Sequence, residues 1–226
     1  MNELFLSVLY GQKDNLFLPD KMIEREISKS FKKSFLKDKR IHVVSGMRGS
    51  GKSTLIKQLM LSLENYIFIN FDDERLFGFK AVEFEMMNEA AITVYQKSKY
   101  YFFDEIQNVP GFELFVRRLH DQGKKIVITS SNESLFSKEY GAKLTGRYKM
   151  FNLYPFSFSE YLGFVNTTVK ADTLYNARRK AEIKKYFMKW FDSGGIPEFL
   201  IHRNIEYVKT LFENIIYRGI VARHGI

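Results

Sequence analysis

Five short runs of apolar residues, each ending in polar or charged positions, alternate along the chain with stretches of helical spacing. A continuous apolar run of this kind is typical of a strand buried in a parallel sheet, whereas apolar residues at every third or fourth position indicate an amphipathic helix. The pattern therefore predicts an α/β fold. The predicted strands span residues 41–45, 66–71, 100–103, 124–132 and 148–153.

The helical stretches lie between and around these strands. In the first of them, residues 21–37, Ile23, Ile27, Phe31 and Phe35 recur every four residues between charged positions. Such spacing places the apolar side chains on one face of a helix. The other predicted helices span residues 52 to about 63, 81–97, 112–122, 171–191 and 205–221.

A glycine-rich loop, residues 46–54, follows the first predicted strand. Gly46, Gly51, Lys52 and Ser53 fit the P-loop pattern G-x-x-x-x-G-K-[S/T] ahead of a helical run. Bare backbone N–H groups at a helix N-terminus bind a triphosphate, the lysine reaches its β- and γ-phosphates, and the serine hydroxyl binds Mg²⁺. A glycine-rich turn without a ligand is the alternative. We expect ATP to contact Gly46, Met47, Arg48, Gly49, Ser50, Gly51, Lys52, Ser53 and Thr54, with Ser53 as the metal ligand.

Two carboxylates end the third predicted strand. Asp104 and Glu105 follow four aromatic residues, which is the Walker B pattern. In such sites the aspartate holds the Mg²⁺ shell, and the glutamate orients and deprotonates the attacking water. We predict these roles for Asp104 and Glu105; the alternative is a strand that ends in an acidic turn.

Three further residues are candidates for contact with the transferred phosphate or the attacking water. Ser131 and Asn132 lie at the carboxyl end of the fourth predicted strand, where parallel sheets bind ligands, although either residue would also serve as a helix N-cap. Arg147 precedes the fifth strand and is a candidate cation for transition-state charge, in its own subunit or toward a neighbour. An ordinary surface arginine is the alternative.

Composition narrows the class of protein. The chain of 226 residues has no cysteine, which excludes disulfides and thiolate zinc sites, and it has no apolar run long enough to span a bilayer. We expect a cytoplasmic protein without a membrane contact.

The net charge is +9, and the basic excess lies mainly in residues 1–40 and 168–226. This distribution fits either solvated helix faces or a DNA contact through flanking helices; the candidates are Lys29, Lys32, Lys33, Arg178, Arg179, Lys180, Lys184 and Lys185.

The order of the motifs resembles the AAA-type ATPases in which a P-loop domain (AAA_14) precedes a domain of unknown function (DUF4143-like). The stretches on which this resemblance rests are residues 46–53, 71–76, 103–111, 144–148, 153–160 and 194–198. The resemblance implies a P-loop NTPase core of the ASCE type, a three-layer α/β sandwich with strand order 5-1-4-3-2, plus a helical C-terminal segment. It further implies ATP and Mg²⁺ as ligands, hydrolysis driven by Glu105, and a functional role for Arg147. One departure is Ser130, which stands where many relatives have a glycine before the sensor serine, here Ser131.

These expectations divide the chain into an N-terminal segment (1–40), an ATPase core (41–155) and a helical segment (156–226) that begins a second, truncated domain. The predicted function is ATP hydrolysis coupled to a conformational change in the C-terminal domain or in a partner, which could be DNA, another protein or a second copy of the chain. A nucleotide-gated binding module with little turnover is one alternative. A P-loop kinase is another, for which Arg178 and Arg179 are the candidate lid residues.

Overall fold

A computed structural model describes residues 3–16, 22–131, 141–144, 146–169 and 175–216. Its strands are β1 (Ile41–Ser45), β2 (Ile67–Asn70), β3 (Tyr100–Asp104), β4 (Lys125–Ser130) and β5 (Tyr148–Asn152). Three short 3-10 turns span Glu74–Leu76, Ala81–Glu83 and Ile106–Asn108. The α-helices are α1 (Glu3–Asp14), α2 (Ser28–Lys37), α3 (Lys52–Met60), α4 (Phe84–Tyr95), α5 (Phe112–Asp121), α6 (Gly141–Leu144), α7 (Phe158–Phe164), α8 (Ala177–Ser193), α9 (Pro197–His202) and α10 (Ile205–Ile216).

The five strands form one parallel sheet in the order β2-β3-β4-β1-β5. This is the predicted order 5-1-4-3-2 counted from the other side, so the predicted P-loop NTPase fold is confirmed. Strand β4 lies between β1 and β3, with Ser45 beside Ser130 and Phe103 beside Ile128. Because the strands are parallel, they all end on the same side, which is called the carboxyl end of the sheet below; the opposite side is the amino end.

The chain divides into two compact units, and the first holds the sheet: Met1–Met22, Glu26–Gly46 and Lys52–Leu153. Helices cover both faces of this sheet. Phe102 and Phe103 are fully buried neighbours on β3, and neighbouring strand residues point to opposite faces. The ring of Phe102 lies 5.8 Å from Phe35 of α2, and that of Phe103 lies 5.7 Å from Phe115 of α5. Each such buried ring contributes roughly 1.5–3 kcal/mol to folding.

The N-terminal region differs from the predicted pattern. The helix expected over residues 21–37 begins at Ser28, because residues 22–25 are irregular and Arg25 turns inward to bind backbone carbonyls. No element had been predicted where α1 lies. Its buried face ends in Gln12, whose side-chain amide donates to Asn70 O and accepts from Asn70 N, each over 2.9 Å. Gln12 thereby satisfies backbone groups of β2, the strand at the border of the sheet.

The second unit comprises Ile23–Arg25, Met47–Gly51 and Tyr154–Ile226. Its small core includes Phe156, Tyr161 and Leu200, with Trp190 of α8 packed against it. Helix α8 begins at Ala177 rather than at residue 171, because the Asn176 side chain caps it by accepting from Arg179 N over 3.1 Å. Residues 171–174 and 217–221 of the predicted helices lie outside the described residues. None of the described helices is long and apolar enough to cross a membrane.

Candidate functional site at the carboxyl end of the sheet

A buried lysine and a carboxylate meet at the carboxyl end of the sheet. Lys52 is the first residue of α3, and its Nζ lies 3.1 Å from Glu105 Oε1, directly beyond β3. The side chains are only 4% and 16% exposed. A buried ion pair is stable only while both partners are present, because removing either leaves an uncompensated charge. The structure therefore brings together two residues that the sequence assigned to catalysis.

Asp104 lies beside this pair and is 4% exposed. Burial raises its pKa, against the opposing effect of hydrogen bonds from the Thr129 and Ser53 side chains. Ser53 and Asp104, the two predicted metal ligands, are thus in contact. Their hydroxyl and carboxylate oxygens are the ligand type that Mg²⁺ prefers, and a cation would compensate the buried carboxylate charge. This donor set fits the predicted metal.

Thr129 is a site residue that the sequence analysis missed. It is fully buried on β4, one position beyond the Phe103–Ile128 pair. Its hydroxyl donates to Asp104 Oδ1 over 2.5 Å and accepts from the Glu105 backbone N over 2.9 Å. One hydroxyl therefore holds both carboxylate residues in position. A polar residue directly after the buried run Ile126-Val127-Ile128 was the signal that could have identified it.

Glu105 has an unusual backbone conformation, with φ 50° and ψ 39°. This left-handed region is uncommon for residues other than glycine and costs on the order of 1–3 kcal/mol, so it persists only where surrounding contacts hold it. Here the holding contacts come from Thr129 and from the 3-10 turn that begins at Ile106. Strain of this kind clusters at functional sites.

The second carboxylate oxygen of Glu105 is held by Gln107 and Ser131. Gln107 Nε2 donates to Glu105 Oε2 over 2.5 Å, and the Ser131 backbone N lies 3.3 Å from the same oxygen. Burial by itself would raise the pKa of Glu105, but the charge of Lys52 and these hydrogen bonds hold it below its ordinary value. Lys52 and these hydrogen bonds therefore favour the ionised form of Glu105. The alternative role of Ser131 is to cap a helix that follows it. That role depends on residues 132–140, which include Asn132 and lie outside the described residues.

The tip of the glycine-rich loop, Met47–Gly51, belongs to the second unit. Gly49 and Gly51 have φ values of 78° and 94°, which residues with a Cβ rarely adopt. The Ser50 backbone N donates to Met47 O over 3.2 Å, and Ser50 O accepts from Arg25 Nη1 over 2.8 Å. Glycine occupies two positions where the backbone conformation requires it, which fits a loop that surrounds phosphate with N–H groups. Gly46 precedes the tip, and Thr54 follows Ser53 in α3.

Arg147 is not brought to this site. It directly precedes β5, at the amino end of the sheet, where its backbone O accepts from Ile41 N. The length of a five-residue strand, about 13 Å, separates that end from the carboxyl end. Its Nε lies 3.7 Å from Asp121 Oδ1 at the surface. A role for Arg147 within its own subunit is therefore not supported by its position.

The predicted basic surface residues are exposed on two helices. Lys29, Lys32 and Lys33 lie on α2, in the first unit. The others lie on α8, in the second unit: Arg178, Arg179, Lys180, Lys184 and Lys185. Exposure of this kind suits solvated faces and polyanion contacts alike, so DNA binding stays a prediction.

The chain is similar to known proteins in sequence and in fold. A family model described as an AAA domain, AAA_14, matches residues 38–162. An uncharacterized protein of Methanocaldococcus jannaschii is 37% identical over 193 residues, covering 83% of this chain and 43% of the relative. An uncharacterized protein of Haemophilus influenzae is 31% identical over 201 residues, covering 82% of this chain and 47% of the relative. The chain thus spans less than half the length of these relatives.

Solved structures share the fold at low sequence identity. A Walker-type ATPase of Pyrococcus abyssi superposes with a TM-score of 0.50 at 15% identity, covering 91% of this chain and 75% of that chain. The S. cerevisiae Hsp104–ADP complex gives a TM-score of 0.51 at 18% identity, covering 71% of this chain and 26% of that chain. These similarities concern the fold.

Proposed function

Because the chain belongs to the AAA_14 family of AAA domains, we propose that it binds ATP at the glycine-rich loop and hydrolyses it with Mg²⁺. The observation that carries this proposal is the buried contact between Lys52 and Glu105, 3.1 Å apart beside Asp104. A cation that reaches phosphates and a carboxylate base are the two groups that ATP hydrolysis requires next to a metal site. The P-loop NTPase fold supports the same conclusion.

The binding roles follow from the chemistry of each group. Backbone N–H groups of residues Gly46 to Thr54 surround the phosphates, and Lys52 approaches the β- and γ-phosphates as a compact cation. Ser53 and Asp104 would hold Mg²⁺. When bound, the metal neutralises the negative charge that develops on the phosphate oxygens. Thr129 keeps Asp104 and the Glu105 backbone in position for this arrangement.

The ion pair between Lys52 and Glu105 makes the resting site inactive as a base. Lys52 lowers the pKa of Glu105, which weakens its tendency to accept a proton. When Lys52 turns to the phosphates of ATP, Glu105 Oε1 loses this partner and becomes available to the attacking water. Glu105 then takes a proton from the attacking water, with Gln107 and Ser131 orienting the carboxylate. Arrival of the substrate thus activates the base.

The chain also couples this cycle to its helical C-terminal segment or to a partner. A second copy of the chain is one such partner. Arg147 lies too far from the site of its own subunit, and in this arrangement it contacts the nucleotide of a neighbouring subunit. The domain division proposed with this function is an N-terminal segment (1–40), an ATPase core (41–155) and a helical segment (156–226).

Phosphate release from ATP–Mg²⁺, measured beside the Glu105→Gln variant, tests this function. Glutamine has the size of glutamate but accepts no proton, so turnover should fall by about 10²- to 10⁴-fold. ATP affinity, measured by titration calorimetry, should be kept. A wild-type chain that binds no ATP contradicts the proposal, and equal turnover by both chains assigns the base to another residue.

A further inference from the structure

Arg25 is a buried cation that the proposed mechanism does not use. Its side chain is 7% exposed, and it precedes α2 in the irregular segment of residues 22–25. Its Nη1 donates to Ser50 O over 2.8 Å, and its Nη2 donates to Tyr154 O over 2.6 Å. Its Nε lies 2.9 Å from Glu160 Oε1. One side chain therefore joins the tip of the glycine-rich loop to the start of the C-terminal helices, all within the second unit.

The contact with Ser50 orients a peptide group of the loop. The peptide bond between Ser50 and Gly51 is planar and trans, so its C=O and its N–H point in opposite directions. Because the C=O points to Arg25, the Gly51 N–H points away from it. Gly51 is one of the residues proposed to donate to phosphate. Arg25 thus fixes the orientation of the Ser50–Gly51 peptide from its carbonyl side, opposite the N–H that is proposed to bind phosphate.

The contact with Glu160 continues into the helices. Glu160 Oε2 accepts from the Ser157 backbone N over 3.0 Å, and Ser157 Oγ accepts from the Glu160 backbone N over 3.2 Å, which forms the capping box of α7. Phe156 adjoins this box, its ring lies 4.9 Å from the Arg25 guanidinium, and its backbone O accepts from Trp190 Nε1 of α8 over 2.7 Å. The contacts of Arg25 therefore reach both α7 and α8.

We propose that Arg25 is a positioning residue that couples phosphate binding at the glycine-rich loop to α7 and α8 through Glu160. A guanidinium presents its N–H donors in a rigid plane, so a change in the direction of the Ser50 carbonyl changes its fit to Glu160 and Tyr154 at the same time. The inference rests on the proposed function, since it requires phosphate at the loop. It names the residues through which the nucleotide acts on the C-terminal segment.

Hydrogen–deuterium exchange of the full chain, with and without ATP–Mg²⁺ in the Glu105→Gln background, tests this coupling. The nucleotide should slow amide exchange in residues 156–164 by roughly tenfold, because it fixes the Ser50 carbonyl and hence Arg25 and Glu160. Glu160→Gln keeps an acceptor for the Ser157 N–H but loses the charge that pairs with Arg25. In this variant ATP affinity should stay within about threefold, while the slowing in 156–164 should disappear.

Ser157→Ala is the matched control. It breaks the other half of the capping box without removing either charge of the pair, so exchange in α7 should rise in both states. The slowing caused by the nucleotide should nevertheless remain. A merely structural role of Glu160 predicts that Glu160→Gln behaves like Ser157→Ala, and this result would overturn the inference.

A double variant guards against misfolding, since Glu160→Gln leaves Arg25 buried without its carboxylate. Arg25→Met with Glu160→Gln removes both charges together and should keep the circular dichroism spectrum of a folded chain. It should lose the nucleotide effect on 156–164 and bind ATP about tenfold more weakly, because Ser50 O has lost its donor. If the nucleotide still slows exchange in residues 156–164 of the double variant, the inference is overturned while the proposed function stands. Failure of the parent chain to bind ATP overturns the proposed function, and the inference falls with it.

Discussion

The two ends of the sheet carry the same kinds of charged pair in different surroundings. At the carboxyl end, Lys52 and Glu105 lie 3.1 Å apart with side chains 4% and 16% exposed. At the amino end, Arg147 and Asp121 lie 3.7 Å apart with side chains 39% and 55% exposed. The two pairs therefore differ more in burial than in residue type.

The difference has a functional meaning. Exposed ion pairs are screened by water and salt and contribute at most about 1 kcal/mol to stability. Buried charges are costly, and charged groups with perturbed pKa values cluster at sites that bind ligands. Strain at Glu105 and the raised pKa of Asp104 belong to the same end. The carboxyl end thus carries a high local cost that ATP and Mg²⁺ would offset, whereas the Arg147–Asp121 pair at the amino end is exposed to water.

Removing the cation at each end should give the largest contrast. Lys52→Ala deletes the charge-assisted hydrogen bonds to phosphate that we propose, so ATP affinity should fall by about 10- to 100-fold. Arg147→Ala, the matched control, should change ATP affinity by less than about twofold at low protein concentration, because Arg147 lies at the far end of the sheet. Titration calorimetry measures both. Equal losses in the two variants would show that burial does not mark the binding end.

The second test removes the hydroxyl that links the two carboxylate residues. Thr129→Val keeps the shape of the side chain but leaves the Glu105 N–H and Asp104 Oδ1 without their partner. Stability should fall by about 1–3 kcal/mol, and turnover should fall with it. Thr93→Val on α4, whose hydroxyl donates to Glu89 O at an exposed position, is the control and should be nearly neutral. Urea unfolding and phosphate release measure the two effects. If Thr129→Val changes neither stability nor turnover, Thr129 does not position the two carboxylate residues.

A smaller effect is expected from Gln107. Gln107→Ala removes one of the donors that orient Glu105, so turnover should fall by about tenfold with ATP affinity unchanged. Gln122→Ala, at an exposed position after α5, provides the control. A drop in affinity without a drop in turnover would assign Gln107 to binding rather than to orientation of the base.

The smallest effect is expected for the stability of a variant at the amino end. Arg147→Ala should lower stability by less than about 1 kcal/mol, because its pair with Asp121 is exposed. If Arg147 acts on a neighbouring subunit, turnover per chain should rise with protein concentration in the wild type and stay flat in Arg147→Ala. A flat response in both chains would leave Arg147 as a surface residue.

The sequence predicted the fold well because buried parallel strands have a strong apolar pattern. All five strands were found within one or two residues of their bounds, and the strand order followed from the family resemblance. Helix starts were less predictable. The apolar period from Ile23 to Phe35 was regular, but tertiary contacts of Arg25 overrode it in residues 22–25. Helix α1 was missed, although Phe5, Val8 and Leu9 have helical spacing, because Gly11 weakens the pattern.

The candidate site was only partly accessible to sequence reasoning. Motif spacing pointed to Lys52, Ser53, Asp104 and Glu105, which the structure brings together. Thr129 showed only as a polar residue after a buried apolar run. Its partners Asp104 and Glu105 depend on the register between β3 and β4, which the local pattern does not reveal. Arg25 was hidden for a similar reason, since its partners Ser50 and Glu160 are far away in the chain.

The central claim is that Lys52 exchanges Glu105 for the phosphates of ATP. A crystal structure of the wild-type chain with a non-hydrolysable ATP analogue and Mg²⁺ tests it most directly. We expect Lys52 Nζ within hydrogen-bond distance of the β- or γ-phosphate and no longer in contact with Glu105, with Ser53 and Asp104 at the metal. A nucleotide bound elsewhere, or a Lys52–Glu105 pair unchanged beside bound phosphates, would contradict it.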